Sequence, residues 1–160
     1  MRNNGILRAA AACIMVAAAL FLTGLPGWHL VLSDPGSGEV YARFPAEEGT
    51  SFEIGFIHSV NLSPVIDCYE IHDGHILVVS TVYYSFGAGV QSELNPGETL
   101  SYRDDGAMVV SGFSNNDRCG GIKAVSRVQD HWLDIHGEHI DLQDRFGAGA
   151  LIRFDCRYGF

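Results

Sequence analysis

Three residues able to do chemistry together, His58, Asp67 and Ser80, fall in consecutive segments that otherwise alternate apolar and polar side chains. Phe52, Ile54, Phe56, His58 and Val60 share one face of the first segment, and Val65, Asp67, Tyr69 and Ile71 share one face of the second. Ionisable groups on an apolar face cost stability unless they pair. A carboxylate beside an imidazole favours the imidazolium and could hold a charge in a partly dry site. Serine beside such a pair invites acyl transfer, which needs the histidine between nucleophile and acid and an oxyanion hole at the serine. The order here puts Asp67 in the middle. Three readings follow: a pair that fixes the strands, a ligand or partner site, and a hydrolase built on Ser80 or Ser59.

Turn chemistry places these residues. Asn61-Leu62-Ser63-Pro64 reads as a four-residue turn that sets Val60 opposite Val65 and His58 opposite Asp67. Asp73-Gly74 reads as a two-residue turn of the kind that needs positive φ. It sets His72 opposite His75, Tyr69 opposite Val78 and Asp67 opposite Ser80. The expected result is a cross-strand row His58–Asp67–Ser80, because a one-residue slip would turn apolar side chains outward. A bulge would break the row. Ser85-Phe86-Gly87-Ala88-Gly89 follows, and its glycines Gly87 and Gly89 permit the close backbone approach that an anion-binding loop uses. It lacks the lysine and the following helix of a phosphate loop, and a plain turn is the alternative reading.

Histidine also clusters late. Ile135 to Ile140 reads as a hairpin with Gly137-Glu138 at its tip, which puts Asp134, His136, His139 and Asp141 on one face. Two imidazoles and two carboxylates suit a divalent metal, and exposed hairpins also carry such residues without one. His72 and His75 beside their turn form a smaller candidate of the same kind. No other cofactor is implied.

Around these candidates the chain reads as strands. Val, Ile, Tyr and Phe recur in short runs between Gly, Asp, Asn and Pro, and no segment after residue 27 holds a 3.6-residue apolar period. About nine strands with turn signals every 8–15 residues predict an all-β antiparallel β-sandwich over residues 28–160. The expected strands near the candidates are 51–60, 64–72 and 75–85, followed by 99–103, 107–113 and 122–128. The net charge of −9, with ten scattered basic residues, argues against nucleic acid as a partner.

Residues 1–27 read as a targeting segment: Arg2 and Arg8 precede the apolar run Ala9 to Leu25, and Pro26-Gly27 ends it. The run lies between a signal-peptide core and a full membrane span of about 20 residues. It predicts one transmembrane or signal helix, with the domain on the extracytoplasmic side of the cytoplasmic membrane, or secreted to the periplasm if cleaved. An exported domain meets an oxidising compartment. Of Cys68, Cys119 and Cys156, the last two are the preferred pair, with three unpaired thiols as the alternative.

His58-Ser59-Val60, the acid nine positions on (Asp67), the Ser85 to Gly89 loop and the Gly38-Glu39 turn together resemble domain-of-unknown-function family 1850, over roughly residues 30–144. The resemblance implies a small exported or membrane-anchored protein associated with tripartite ATP-independent periplasmic (TRAP) transporters of the TAXI subtype. A non-enzymatic accessory or adaptor role follows, with a TRAP membrane or solute-binding subunit as partner. The resemblance places the ligand or partner site at His58, Asp67 and the glycine loop. The family commonly has Glu where this chain has the shorter Asp67. An exported metal-binding protein and an extracytoplasmic hydrolase are the alternatives.

Overall fold

Alternation of β-branched and aromatic residues, cut by turn formers, produces eleven strands among the described residues. The computed structural model describes residues 26–85, 93–113 and 121–159. The strands are β1 (Gly27–Ser33), β2 (Val40–Ala46), β3 (Ser51–Ile57), β4 (Pro64–His72), β5 (His75–Tyr83), β6 (Thr99–Tyr102), β7 (Met108–Ser111), β8 (Gly121–Ala124), β9 (His131–Ile135), β10 (Glu138–Asp141) and β11 (Leu151–Gly159). One short helix, α1 (Leu142–Phe146), starts where the Asp141 carboxylate accepts the Asp144 backbone N–H at 2.8 Å. A four-stranded sheet has the order β2-β1-β11-β8, and a seven-stranded sheet has the order β10-β9-β3-β4-β5-β7-β6. The expected antiparallel sandwich forms, with eleven strands in place of about nine. Residues 1–25 of the expected targeting segment 1–27 lie outside the described residues. No helix among the described residues is long and apolar enough to cross a membrane.

The core lies between the sheets. Leu30, Leu32, Ile152 and Phe154 of the small sheet meet Phe52, Ile54, Tyr69, Ile71, Ile76, Leu133 and Ile135 of the large one. Phe52 stacks on Tyr69 with ring centroids 5.0 Å apart. Gly55 is a glycine because the Trp132 ring occupies the space of its missing β-carbon, 2.2 Å from the ideal position. Cys156 packs against this core and is a free thiol, as is Cys68. Cys156 sits opposite Leu30 and is the described member of the expected Cys119–Cys156 pair. Cys119 lies outside the described residues.

The two ends of the sandwich differ. At one end Trp28 packs over the Asp73-Gly74 turn, its ring 2.5 Å from where a β-carbon on Gly74 would stand. Tyr158 meets Trp28 edge-on there, with ring centroids 5.4 Å apart. The opposite end, beyond Ile57, Pro64 and Tyr83, gathers the β3–β4, β6–β7 and β8–β9 connections. There the Ile57 backbone N–H donates to the Asp130 carbonyl at 3.1 Å.

Candidate functional site

The His58–Asp67–Ser80 row does not form, and two local events explain why. First, β3 ends at Ile57 and not at Val60. The backbone folds back on itself: His58 N–H donates to the Ser63 carbonyl and Leu62 N–H to the His58 carbonyl, both at 2.9 Å. Leu62 takes a positive φ of 49° to allow it. Ile57 then faces Pro64, Ile54 faces Asp67 and Phe52 faces Tyr69. Each strand has moved two residues relative to expectation, which keeps every side chain on its predicted face. His58 falls four residues beyond Asp67's partner Ile54, about 13 Å along the strand direction.

Second, a bulge interrupts β4–β5. The Asp73-Gly74 turn forms as expected, with φ of 49° and 71°. His72 faces His75 and Tyr69 faces Val78, but past Tyr69 the register shifts so that Cys68 faces Ser80 and Asp67 faces Thr81. Val79 is the extra residue. Ser80 is thereby carried to the outer face, beside Cys68 and Ser111. Burial, its leading cause, pushes the Cys68 thiol up, and the neighbouring Glu53 carboxylate adds to this.

Asp67 finds other partners. The Thr81 hydroxyl donates to its Oδ1 at 2.9 Å, and the Tyr69 hydroxyl to its Oδ2 at 3.3 Å. Lys123, from β8 of the facing sheet, reaches Oδ2 at 3.4 Å and stands 5.7 Å from the centre of the Tyr69 ring. A partly buried carboxylate thus receives three donors and pins the edge of one sheet to the other. Tyr83 on the next strand is raised, chiefly by burial and then by the Asp67 charge. The void beside the cluster, lined by Phe52, Ile54, Tyr69, Ile76, Gly121, Lys123 and Phe154, measures about 10 Å³. That is the lower limit for one water, so the cluster is closely packed on this side. Lys123, Tyr69 and Thr81 were not singled out from sequence. The usable signal was a lone lysine inside the apolar run Ile122-Lys123-Ala124-Val125.

His58 serves its own turn. Its Nδ1 accepts the backbone N–H groups of Val60 at 3.2 Å and Asn61 at 3.4 Å. Its ring lies 6.5 Å from Phe56, which in turn stacks on His131 at 5.5 Å. Ser59 is exposed in this connection. Ser85 leaves β5 at the same end, whereas Phe86, Gly87 and Gly89 lie outside the described residues.

The late hairpin turns one residue earlier than expected, at His136-Gly137, both with positive φ (53° and 77°). Ile135 faces Glu138 and Asp134 faces His139. Of the four candidate metal ligands, Asp134 and His139 stay together, and His136 and Asp141 take other partners. His139 Nδ1 meets Asp134 Oδ1 at 2.6 Å, His136 Nε2 meets the Pro45 carbonyl at 2.7 Å, and Asp141 caps α1. His72 is engaged on both nitrogens, by Glu48 at 2.7 Å and Glu70 at 2.9 Å. The Glu48 hydrogen bond leads in raising its pKa, with the charges of both carboxylates adding. Among the described residues no group of three or more His, Cys, Asp or Glu is placed to hold a metal ion.

Fold and site together define a small two-sheet β-sandwich in which a partly buried carboxylate, Asp67, is pinned between the sheets and histidines hold two of the connections. Residues 52–142, more than half of the chain, match the family model described as Domain of unknown function (DUF1850), and the chain belongs to that family. No curated protein and no solved structure matches it.

Proposed function

We propose that the protein is a non-enzymatic, extracytoplasmic accessory protein of a TAXI-type TRAP solute transporter, and that its His58 end binds the transporter subunit. One observation carries this reading. Val60 and Leu62 in the β3–β4 connection and Val128 in the β8–β9 connection are 66 %, 70 % and 81 % exposed. The two connections leave neighbouring strands joined by the Ile57–Asp130 hydrogen bond. Aliphatic side chains displayed on adjacent loops suit a protein partner. His58 contributes by ordering the turn that displays Val60 and Leu62.

The chain's polarity supports the same arrangement. The apolar segment Ala9 to Leu25 leads directly into Trp28, and the exposed Trp28 and Tyr158 share that end of the sandwich. Trp and Tyr favour the headgroup region of a bilayer. An anchored domain would then present its His58 end about 20 Å farther out, one strand length away. Family membership adds the transport setting that the resemblance implies.

Co-purification tests the reading. Full-length protein is expected to bring down a TRAP membrane or solute-binding subunit, and Leu62→Asp with Val128→Asp to weaken that recovery at least tenfold. Purified protein free of any TRAP subunit, together with unchanged solute uptake after deletion, overturns it.

A further inference from the structure

The sandwich is open along one side. β2 borders the small sheet and β10 the large one, and no ladder joins the two among the described residues. Ala42 and Phe44 of β2, Ile140 of β10 and Phe146 of α1 are partly buried there and pack against the core. A bulge adds Tyr41 to them. Leu32 faces Ala42 and Ser33 faces Val40, which leaves Tyr41 as the extra residue. Its ring stacks on Phe146 with centroids 5.2 Å apart. Between the two edges lies a groove of about 280 Å³, lined by these apolar and aromatic residues.

Charge distinguishes the two ends of the groove. At one end His136 Nε2 meets the Pro45 carbonyl at 2.7 Å, and Glu138 follows closely on β10. At the other end are the Tyr41–Phe146 stack and Arg145, the residue before Phe146. Arg145 is exposed, and it takes part in none of the ion pairs among the described residues. Arg43 lines the groove from β2. The neighbouring carboxylates have their own donors. Asp34 accepts the Tyr41 hydroxyl at 2.9 Å and the Ser37 backbone N–H at 2.6 Å, and Asp141 caps α1. Glu138 is the one carboxylate among the lining residues, at the end away from Arg145. Two voids of similar size, one beside Trp28 and one beside His136, are lined by three carboxylates each and by no lysine or arginine.

We propose that this groove binds a small monocarboxylate with an apolar body, the carboxylate on Arg145 and the body against Phe146 and Ile140. An apolar floor with a few placed polar groups is the make-up of a small-molecule site, and the volume lies at the lower limit of such sites, about 300 Å³, so the ligand is small. A guanidinium takes a carboxylate through two parallel N–H bonds, a geometry that an ammonium lacks. Glu138 sets the direction, because it repels an anion from its own end. It also selects one charge over two, since a second carboxylate would lie toward it. The net charge of −9 repels anions at long range, but salt screens it beyond about 8 Å, and at contact the guanidinium decides. The inference is independent of the transport reading, since the His58-end loop residues Val60, Leu62 and Val128 take no part in it.

The test titrates the full-length chain in mild detergent with phenylacetate and follows the Ile140 methyl signals by NMR. Saturable shifts at Ile140 are expected. Phenylethanol keeps the ring and lacks the charge, and should bind at least about tenfold more weakly; partition into the detergent would favour the alcohol instead. Acetate keeps the charge and lacks the ring, and should also bind at least about tenfold more weakly. Arg145→Gln is expected to weaken phenylacetate binding at least about tenfold with an unchanged melting temperature, and to leave phenylethanol binding as it was. Glu138→Gln should tighten phenylacetate binding about twofold. The absence of a saturable shift at Ile140 overturns the proposal, as does an alcohol that binds as tightly as the acid or an Arg145→Gln chain that binds the acid like wild type. If Arg145→Gln fails to fold, the contrast between acid and alcohol on the wild-type chain decides alone.

Discussion

Two hairpins of one meander, β3–β4 and β4–β5, each carry a histidine at the closing position, and the two histidines do opposite things. At β4–β5 the turn is two residues long, and His72 reaches out of its hairpin to Glu48 while pairing within it with Glu70. At β3–β4 the connection is six residues long, and His58 turns inward to accept its own loop's N–H groups. Glu48 belongs to the β2–β3 connection, and its second oxygen accepts the Asp73 backbone N–H at 2.9 Å. The tight hairpin is therefore held by charge from another part of the chain, while the wide one is held by itself. A histidine's role follows from which backbone donors lie unsatisfied beside it.

The largest effect is expected where the tight turn meets Trp28. Gly74→Ala puts a β-carbon 2.5 Å from the ring at a φ of +71°, and should cost about 2–4 kcal/mol in urea unfolding. The wide loop should respond in the opposite direction. Leu62→Gly relieves a positive φ at an exposed residue and is expected to stabilise by up to about 1 kcal/mol. A loss there would mean that the loop is held by more than its own backbone.

Between the hairpins, Asp67→Ala strands the Thr81 hydroxyl, which is buried, and leaves Lys123 without its carboxylate. A loss of about 1–3 kcal/mol is expected, and Lys123→Ala should cost less, since its bridge is partly exposed. Equal losses would show that the cross-sheet ion pair, and not the Thr81 hydrogen bond, carries the pin.

The pH dependence of the tight hairpin follows from two opposite shifts. His72 titrates above its ordinary value of 6.5, chiefly through the Glu48 hydrogen bond. Its contribution is complete below the unfolded pKa and is lost as pH rises through the higher folded one. Glu48 titrates below 4.5, chiefly through the Asp73 N–H and then His72. Its contribution is present above the unfolded pKa and is lost as pH falls through the folded one. The melting temperature of wild type should exceed that of His72→Gln at about pH 6, and the gap should narrow by about pH 9. A gap independent of pH would make the contact one of shape alone.

The smallest effect is expected at His58. His58→Phe leaves the Val60 and Asn61 N–H groups to water and should cost about 1 kcal/mol or less. Folding retained with loss of transporter co-purification would sharpen the contrast, separating a loop that displays a surface from a hairpin that holds the fold.

Alternation and turn chemistry made much of this legible beforehand. Asp73-Gly74 announced its turn and the β4–β5 register up to Tyr69, and the face occupied by each residue of β3 and β4 was readable from period two. The β3–β4 register was not, because sliding each strand by two residues leaves every face unchanged and alternation cannot detect it. The bulge at Val79 was equally silent, since Val suits either face. At the late hairpin, His136-Gly137 competed with Gly137-Glu138, and both choices again preserve the faces.

By itself the sequence determined an antiparallel sandwich, the sides on which Asp67 and the aromatic residues lie, and a resemblance to the domain-of-unknown-function family 1850. Tertiary structure decided which groups meet. Lys123 reaches Asp67 across 56 positions of chain, and Glu48 reaches His72 across 24. Such contacts depend on how two sheets stack and how connections fold back over them. Backbone donors that the ladder leaves unsatisfied then claim the nearest acceptor, and at the β3–β4 connection that acceptor is His58.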